Sequence, residues 1–204
     1  MARYLMTHSL LSSWLYAMKS SPYEDATTES DPYEEFLRVL RREPTETTEA
    51  MRNGIVFEDL VTQLANGEDA DTEHKWYGAA SKAAKVVQGS INQYKAKTEI
   101  QVSGISVLLY GRIDFLKAGK VIDTKFSKSY ERGKYFDSTQ HPVYLRLVPE
   151  ADEFVYLVSN GTDVWTELYR REETPDIEPI IADFFDFLIT KDLMETYKKH
   201  WLAL

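Results

Sequence analysis

Apolar residues fall at helical spacing over residues 8–18, where Leu11, Leu15 and Met18 share one face. Residues 20–31 break the pattern as a polar linker, with Pro22 and Pro32 as punctuation. Residues 33–42 predict a second short helix. The hydroxyls of Thr45-Glu46-Thr47-Thr48-Glu49 can accept from the orphan N–H groups that open a third. That helix runs to Leu64 or Ala65 and stops at Asn66-Gly67. An acidic loop covers residues 67–73. Residues 75–93 then predict another helix, with Ala79, Ala83, Val86 and Ile91 inward.

The period then shortens from helix to strand. Residues 99–103, 107–115 and 121–126 are rich in apolar and β-branched side chains and predict a meander. Lys117-Ala118-Gly119-Lys120 supplies the turn between the last two. A charged loop, 127–136, leads to a helix capped by Ser138 or Thr139 and running through Val148, with Pro142 tolerated in its first turn. Residues 153–158 and 164–169 flank Asn160-Gly161, a strong hairpin signal. Residues 176–188 predict an amphipathic helix with Ile177, Ile180, Ile181, Phe184, Phe185 and Leu188 inward, and 191–201 a final helix. This order predicts an α/β protein with a central mixed sheet covered by helices.

The 204 residues fit one domain, here 1–204. It divides into an N-terminal helical extension (1–50), a core (51–171) and C-terminal helices (175–204). No apolar run reaches the roughly 20 residues of a membrane span. Residues 10–18 lack the flanks of a signal peptide, so a cytoplasmic location is the default. The chain has no cysteine, which excludes disulfides and cysteine-ligated zinc or iron–sulfur centres.

A net charge of −9 argues at first against a polyanionic partner. The distribution changes that. Residues 74–134 hold twelve Lys and Arg against four Asp and Glu, so this segment is +8 and the remainder −17. Positive potential there suits phosphate, with ordinary solvated faces as the alternative.

The basic segment contains Gly111-Arg112-Ile113-Asp114 and Asp123-Thr124-Lys125. Strand alternation puts Asp123 and Lys125 on one face, opposite Ile122, Thr124 and Phe126. It puts Asp114 with Tyr110 and Arg112, opposite Leu109, Ile113 and Phe115. Two carboxylates and an ammonium can then converge at a strand edge, as a cation site or as a surface salt-bridge cluster. Glu58 adds a third carboxylate. On the helical wheel it falls between Ala65 and Met51, inside the apolar arc, while Asp59 lies at the polar edge. There it can coordinate a metal, or bond a lysine or solvent at the end of the stripe. His74, His141 and His200 have no ligand-like spacing and read as surface residues. Trp14, Trp76, Trp165 and Trp201 read as core.

Gly54-Ile55-Val56-Phe57-Glu58, Gly111-Arg112-Ile113-Asp114, Asp123-Thr124-Lys125 and Gln140-His141-Pro142-Val143-Tyr144, in this order, resemble the PD-(D/E)xK nucleases, nearest the RecB-like and phage exonuclease branch. Thr7-His8-Ser9-Leu10-Leu11-Ser12-Ser13 is similar to the serine-containing first helix of that branch. The resemblance implies a restriction-endonuclease-like sheet and a metal-dependent deoxyribonuclease. A stand-alone exonuclease of phage or mobile-element recombination is favoured over a structure-specific or restriction-like endonuclease. A non-catalytic nucleic-acid-binding module on the same fold is the alternative of another class. It implies Mg²⁺ or Mn²⁺ held by Glu58, Asp114, Asp123 and the Thr124 carbonyl. Lys125 would act on the attacking water, Gln140 would orient the nucleophile site, and Arg112, Lys128 and Tyr144 would contact substrate. The implied partners are single- or double-stranded DNA and a recombination protein such as a single-strand annealing protein. With so acidic a remainder, a homo-oligomer with an inward basic face is a further expectation. No phosphate-binding loop of the helicase motors is present.

Overall fold

The structure is a computed structural model and describes residues 2–19 and 31–203. The elements in chain order are β1 (Arg3–Met6), α1 (His8–Lys19), α2 (Pro32–Leu40), α3 (Glu49–Ala65) and α4 (Tyr77–Val87). Then come β2 (Ile91–Val102), β3 (Ile105–Lys117), β4 (Lys120–Phe126), α5 (Gln140–Leu147), β5 (Glu153–Ser159) and β6 (Val164–Arg170). The chain closes with α6 (Ile177–Thr190), α7 (Met194–His200) and β7 (Leu202–Ala203). The expected linker lies almost wholly outside the described residues.

The seven strands form one mixed sheet, in the order β6-β5-β4-β3-β1-β7, with β2 also paired to β3. The chain is thus an α/β protein with helices on both faces. One apolar cluster joins α1, α2, α5, α6 and α7 to Val107, Leu109, Ile113, Val121, Phe154, Tyr156 and Val158. The other joins Phe57, Leu60 and Val61 of α3 and the alanines of α4 to Phe115, Ile122, Val155 and Leu157. β5 is therefore buried on both faces, as its unbroken apolar run requires.

Local chemistry explains most boundaries. Thr48 caps α3 by accepting from the Met51 N–H, and Asp176 caps α6 by accepting from the Glu178 N–H. The β3–β4 turn uses Ala118 and Gly119, both with positive φ. Three expectations are corrected. The helix read over 75–93 ends at Val87, because Gly89 takes a φ of +78° and Ile91 begins a strand paired with β3 along its length. Val86 and Ile91 are consequently exposed rather than inward. Cross-strand pairing has overridden a helical pattern. The N-terminal stretch also contributes β1, a parallel neighbour of β3, before its first helix. The last helix starts at Met194, because Asp192 reverses the chain at a φ of +58°. Among the described residues no helix is long and apolar enough to cross a membrane.

Candidate active site

A gap along one edge of β3 creates the site. β2 pairs with β3 along its length, so β1 and β4 must share the opposite edge. β1 covers that edge at Ser106–Leu109 and β4 only from Phe115 onward. Tyr110, Gly111, Arg112, Ile113 and Asp114 lie between, with no strand on that side among the described residues. The opening is closed from the helix layer. The Tyr144 hydroxyl of α5 donates to the exposed-edge Arg112 carbonyl at 2.9 Å. Its ring lies so close over Gly111 that a Cβ there would sit 2.5 Å from Tyr144 Cε1. The glycine of the motif is thus a packing requirement.

Strict alternation breaks at this gap. Ile113 packs in one apolar layer and Phe115 in the other, so the expectation that both lie opposite Asp114 is corrected. On β2 the ladder skips Gln93, between the pairs Asn92–Phe115 and Tyr94–Ile113, where φ is +52°, a value non-glycine residues seldom adopt. Gln93 Nε2 donates to Glu58 Oε1 at 2.5 Å. Glu58 is half-buried, and its helix exposes Ile55 and also Met51, which the wheel places beside it in the apolar arc. The reason is that α3 packs on the sheet only through its later turns, at Phe57, Leu60 and Val61.

A cleft of about 380 Å³ collects Glu58, Tyr110, Arg112, Asp114, Asp123, Thr124, Lys125, Gln140 and Tyr144, with Thr7, His8 and Ser9 from the β1–α1 junction. Of the expected site residues only Lys128 is outside it, exposed on the loop after β4. Asp114 Oδ2 accepts from the Thr124 N–H at 3.0 Å. Asp123 is 3% exposed. Its Oδ1 accepts a short hydrogen bond from Gln140 Nε2. Its Oδ2 lies 2.6 Å from Lys125 Nζ, an ion pair whose angles do not make a hydrogen bond.

Burial, then the negative charges of Asp123 and Glu58, push the Asp114 carboxyl up to about 8, despite the Thr124 amide and Lys125. Burial and Asp123 likewise raise Glu58, with Arg112 opposing. The carboxylates thus repel one another where solvent screens poorly. Burial, then Lys125, lowers His8 to about 4, so it is neutral at pH 7. Its ring meets that of Tyr144 edge-on at 5.4 Å.

These residues fit a hard divalent cation in type, since all the donors are oxygens. Gln93 Oε1 is also buried there without a hydrogen-bond partner. Among the described residues no set of three acidic, histidine or cysteine side chains is already gathered about one point. The carboxylate oxygens are instead turned to Gln93, Thr124, Gln140 and Lys125.

Sequence reading missed Gln93, which lies in the stretch taken for a helix, and the cleft-lining role of His8 and Tyr110. His141, read as a surface residue, is 2% exposed and stacks on Tyr169 at 4.1 Å. Trp14, Trp76 and Trp201 are buried, as expected.

No family model matches the chain, and no curated protein matches it. A solved structure, that of SSO0001, is similar in fold, with a TM-score of 0.53 at 15% identity, over 93% of this chain and 77% of that one.

Proposed function

We propose that the protein is a metal-dependent nuclease that hydrolyses DNA phosphodiester bonds, on a restriction-endonuclease-like sheet. One observation carries the reading. Three carboxylates, a lysine and a glutamine from α3, β3, β4 and α5 line one cleft. Two of the carboxyls are pushed up by burial and by their neighbours' charge. Such repulsion is costly to a fold unless a cation offsets it, and perturbed groups of this kind cluster at functional sites.

Glu58, Asp114, Asp123 and the Thr124 carbonyl would hold Mg²⁺ or Mn²⁺. Such an ion, when bound, polarises the phosphoryl oxygen and acidifies a water. The chain does the rest. Thr124 fixes Asp114 through its N–H, and Gln140 fixes Asp123. Lys125, beside Asp123, places a positive charge where a phosphorane-like transition state gathers negative charge. Its ammonium also orients the attacking water by hydrogen bonding. Neutral His8 borders this point without adding charge. As in the resembled branch, exonuclease action on free ends is the favoured form.

The test is degradation of end-labelled linear DNA in Mg²⁺ by wild type, Lys125→Ala and Asp114→Asn. Loss in both variants is expected, and equal activity in all three refutes the reading. Cutting of covalently closed circles would make it an endonuclease.

A further inference from the structure

The sheet surface leading into the cleft carries a charge pattern that folding alone disfavours. Antiparallel pairing sets Lys95 of β2 directly opposite Arg112 of β3, and Lys97 opposite Tyr110. Directly paired residues share a face, and like charges so placed repel. All three cations are exposed. Among the described residues none of them is ion-paired, and the acid farther along this face, Glu99, is taken by Arg3. Among the described residues β2 pairs only with β3, so it is a sheet edge there. Edge lysines discourage strand addition. That role accounts for Lys95 and Lys97 as charges. It does not account for an arginine on the inner strand facing one of them.

The ladder has a direction. From Lys97 and Tyr110 it passes to Lys95 and Arg112, and beyond Arg112 on β3 lies Asp114 of the cleft. Tyr110 and Arg112 already line the cleft. Alternate residues on a strand repeat about every 6.7 Å, the scale of successive phosphates in one nucleic-acid strand. The track is a single cross-strand pair wide. The cleft, at about 380 Å³, is on the scale of a single nucleotide. Tyr110 offers a ring beside the cations, the combination that stacks bases while the backbone is held electrostatically.

We propose that Lys97, Lys95 and Arg112 form a track for single-stranded DNA, holding successive phosphates of the strand that enters the cleft. This rests on the nuclease reading of the cleft.

The test is fluorescence anisotropy of a labelled oligothymidylate of about 20 nucleotides, in EDTA so that nothing is cut. Lys95→Glu/Lys97→Glu keeps the edge charged and removes the repulsion with Arg112. Its melting temperature is expected to equal or exceed that of wild type, while affinity falls about tenfold or more. With Lys95→Gln/Lys97→Gln, the slope of log affinity against log salt should become shallower by about 1.4. Lys191→Glu/Lys199→Glu, an exposed pair at the end of α6 and on α7 that changes net charge by the same amount, serves as the control for net charge. Unchanged binding by the Glu pair, or a loss no greater than in the control, overturns the track. So does tighter binding of a duplex of equal length. Binding by wild type that the Glu pair loses, with no cutting in Mg²⁺, leaves the track standing and refutes the nuclease. Cutting by wild type with a Glu pair that binds and cuts equally well does the reverse.

Discussion

Gly111→Ala gives the sharpest test of how the site is built. Gly111 has an ordinary φ, so alanine is permitted by the backbone, and in a strand it would ordinarily stabilise by about 0.5–1 kcal/mol. The added Cβ, however, meets Tyr144 Cε1 at 2.5 Å, Leu147 Cδ1 at 2.9 Å and Tyr144 Cδ1 at 3.1 Å. Carbon atoms in contact prefer about 3.5–4.0 Å. The Tyr144 ring must therefore move by about 1 Å, and α5 with it. Overpacking of this kind costs about 1–3 kcal/mol. Losing the Tyr144 hydroxyl from the Arg112 carbonyl adds about 1 kcal/mol. A total near 2–4 kcal/mol corresponds to roughly 5–15 °C in melting temperature at this size. Urea and thermal melts should be run without metal, alone and in a Tyr144→Leu background. The ring's removal should reduce the alanine's cost to under about 1 kcal/mol, a coupling typical of residues in contact. A neutral or stabilising Gly111→Ala, or the same cost in both backgrounds, would refute the claim that the glycine exists to admit Tyr144.

Mg²⁺ should stabilise wild type by about 2.7 kcal/mol at a hundredfold excess over Kd and so raise its melting temperature. It should do so far less for Asp123→Asn; an equal rise would separate the ion from this site. Gly161→Ala should destabilise by 2 kcal/mol or more on the overpacking scale, because Gly161 has a φ of +93° and its Cβ would lie 2.5 Å from Trp76 Cδ1; a melt showing no loss counters it. For Glu167, burial raises the carboxyl, but bonds from the Tyr169 and Tyr130 hydroxyls and the Tyr135 and Gly133 amides outweigh burial and hold it below its ordinary value of 4.5. Its stabilisation is therefore present above pH 4.5 and is lost as pH falls through the folded value. Acid melts of Glu167→Gln should be flatter than wild type below that pH, and parallel curves would contradict this. His141, lowered to about 4 chiefly by burial, stays neutral when folded. Stability should thus be full above pH 6.5 and decline toward pH 4, and His141→Phe should remove that part of the decline in the same melts.

The helices of the C-terminal third were legible in the sequence because their apolar faces repeat at the helical period, as at Ile181, Phe184, Phe185 and Leu188. So was the hairpin around Asn160-Gly161, whose turn chemistry is local. The pairing of Asp123 with Lys125 followed from alternation within one strand. The end of the helix read over 75–93 was not legible, since valine and isoleucine there satisfy a helical period while pairing with β3 claims Ile91 onward. Periodicity likewise missed the change of face between Ile113 and Phe115, because a local break in the pleat leaves no mark on composition.

By itself, then, the sequence determined the element types, the apolar faces and the residue kinds able to do chemistry. These depend on backbone period and side-chain identity, which neighbours in the chain settle. Tertiary structure alone decided that β1 and β4 share one edge of β3 and leave a gap between them. That gap is what lets α3 and α5 bring Glu58 and Gln140 to Asp114 and Asp123 from opposite layers. Which strand lies beside which is set by burying both faces of the sheet at once, a constraint on the whole chain that no segment carries alone.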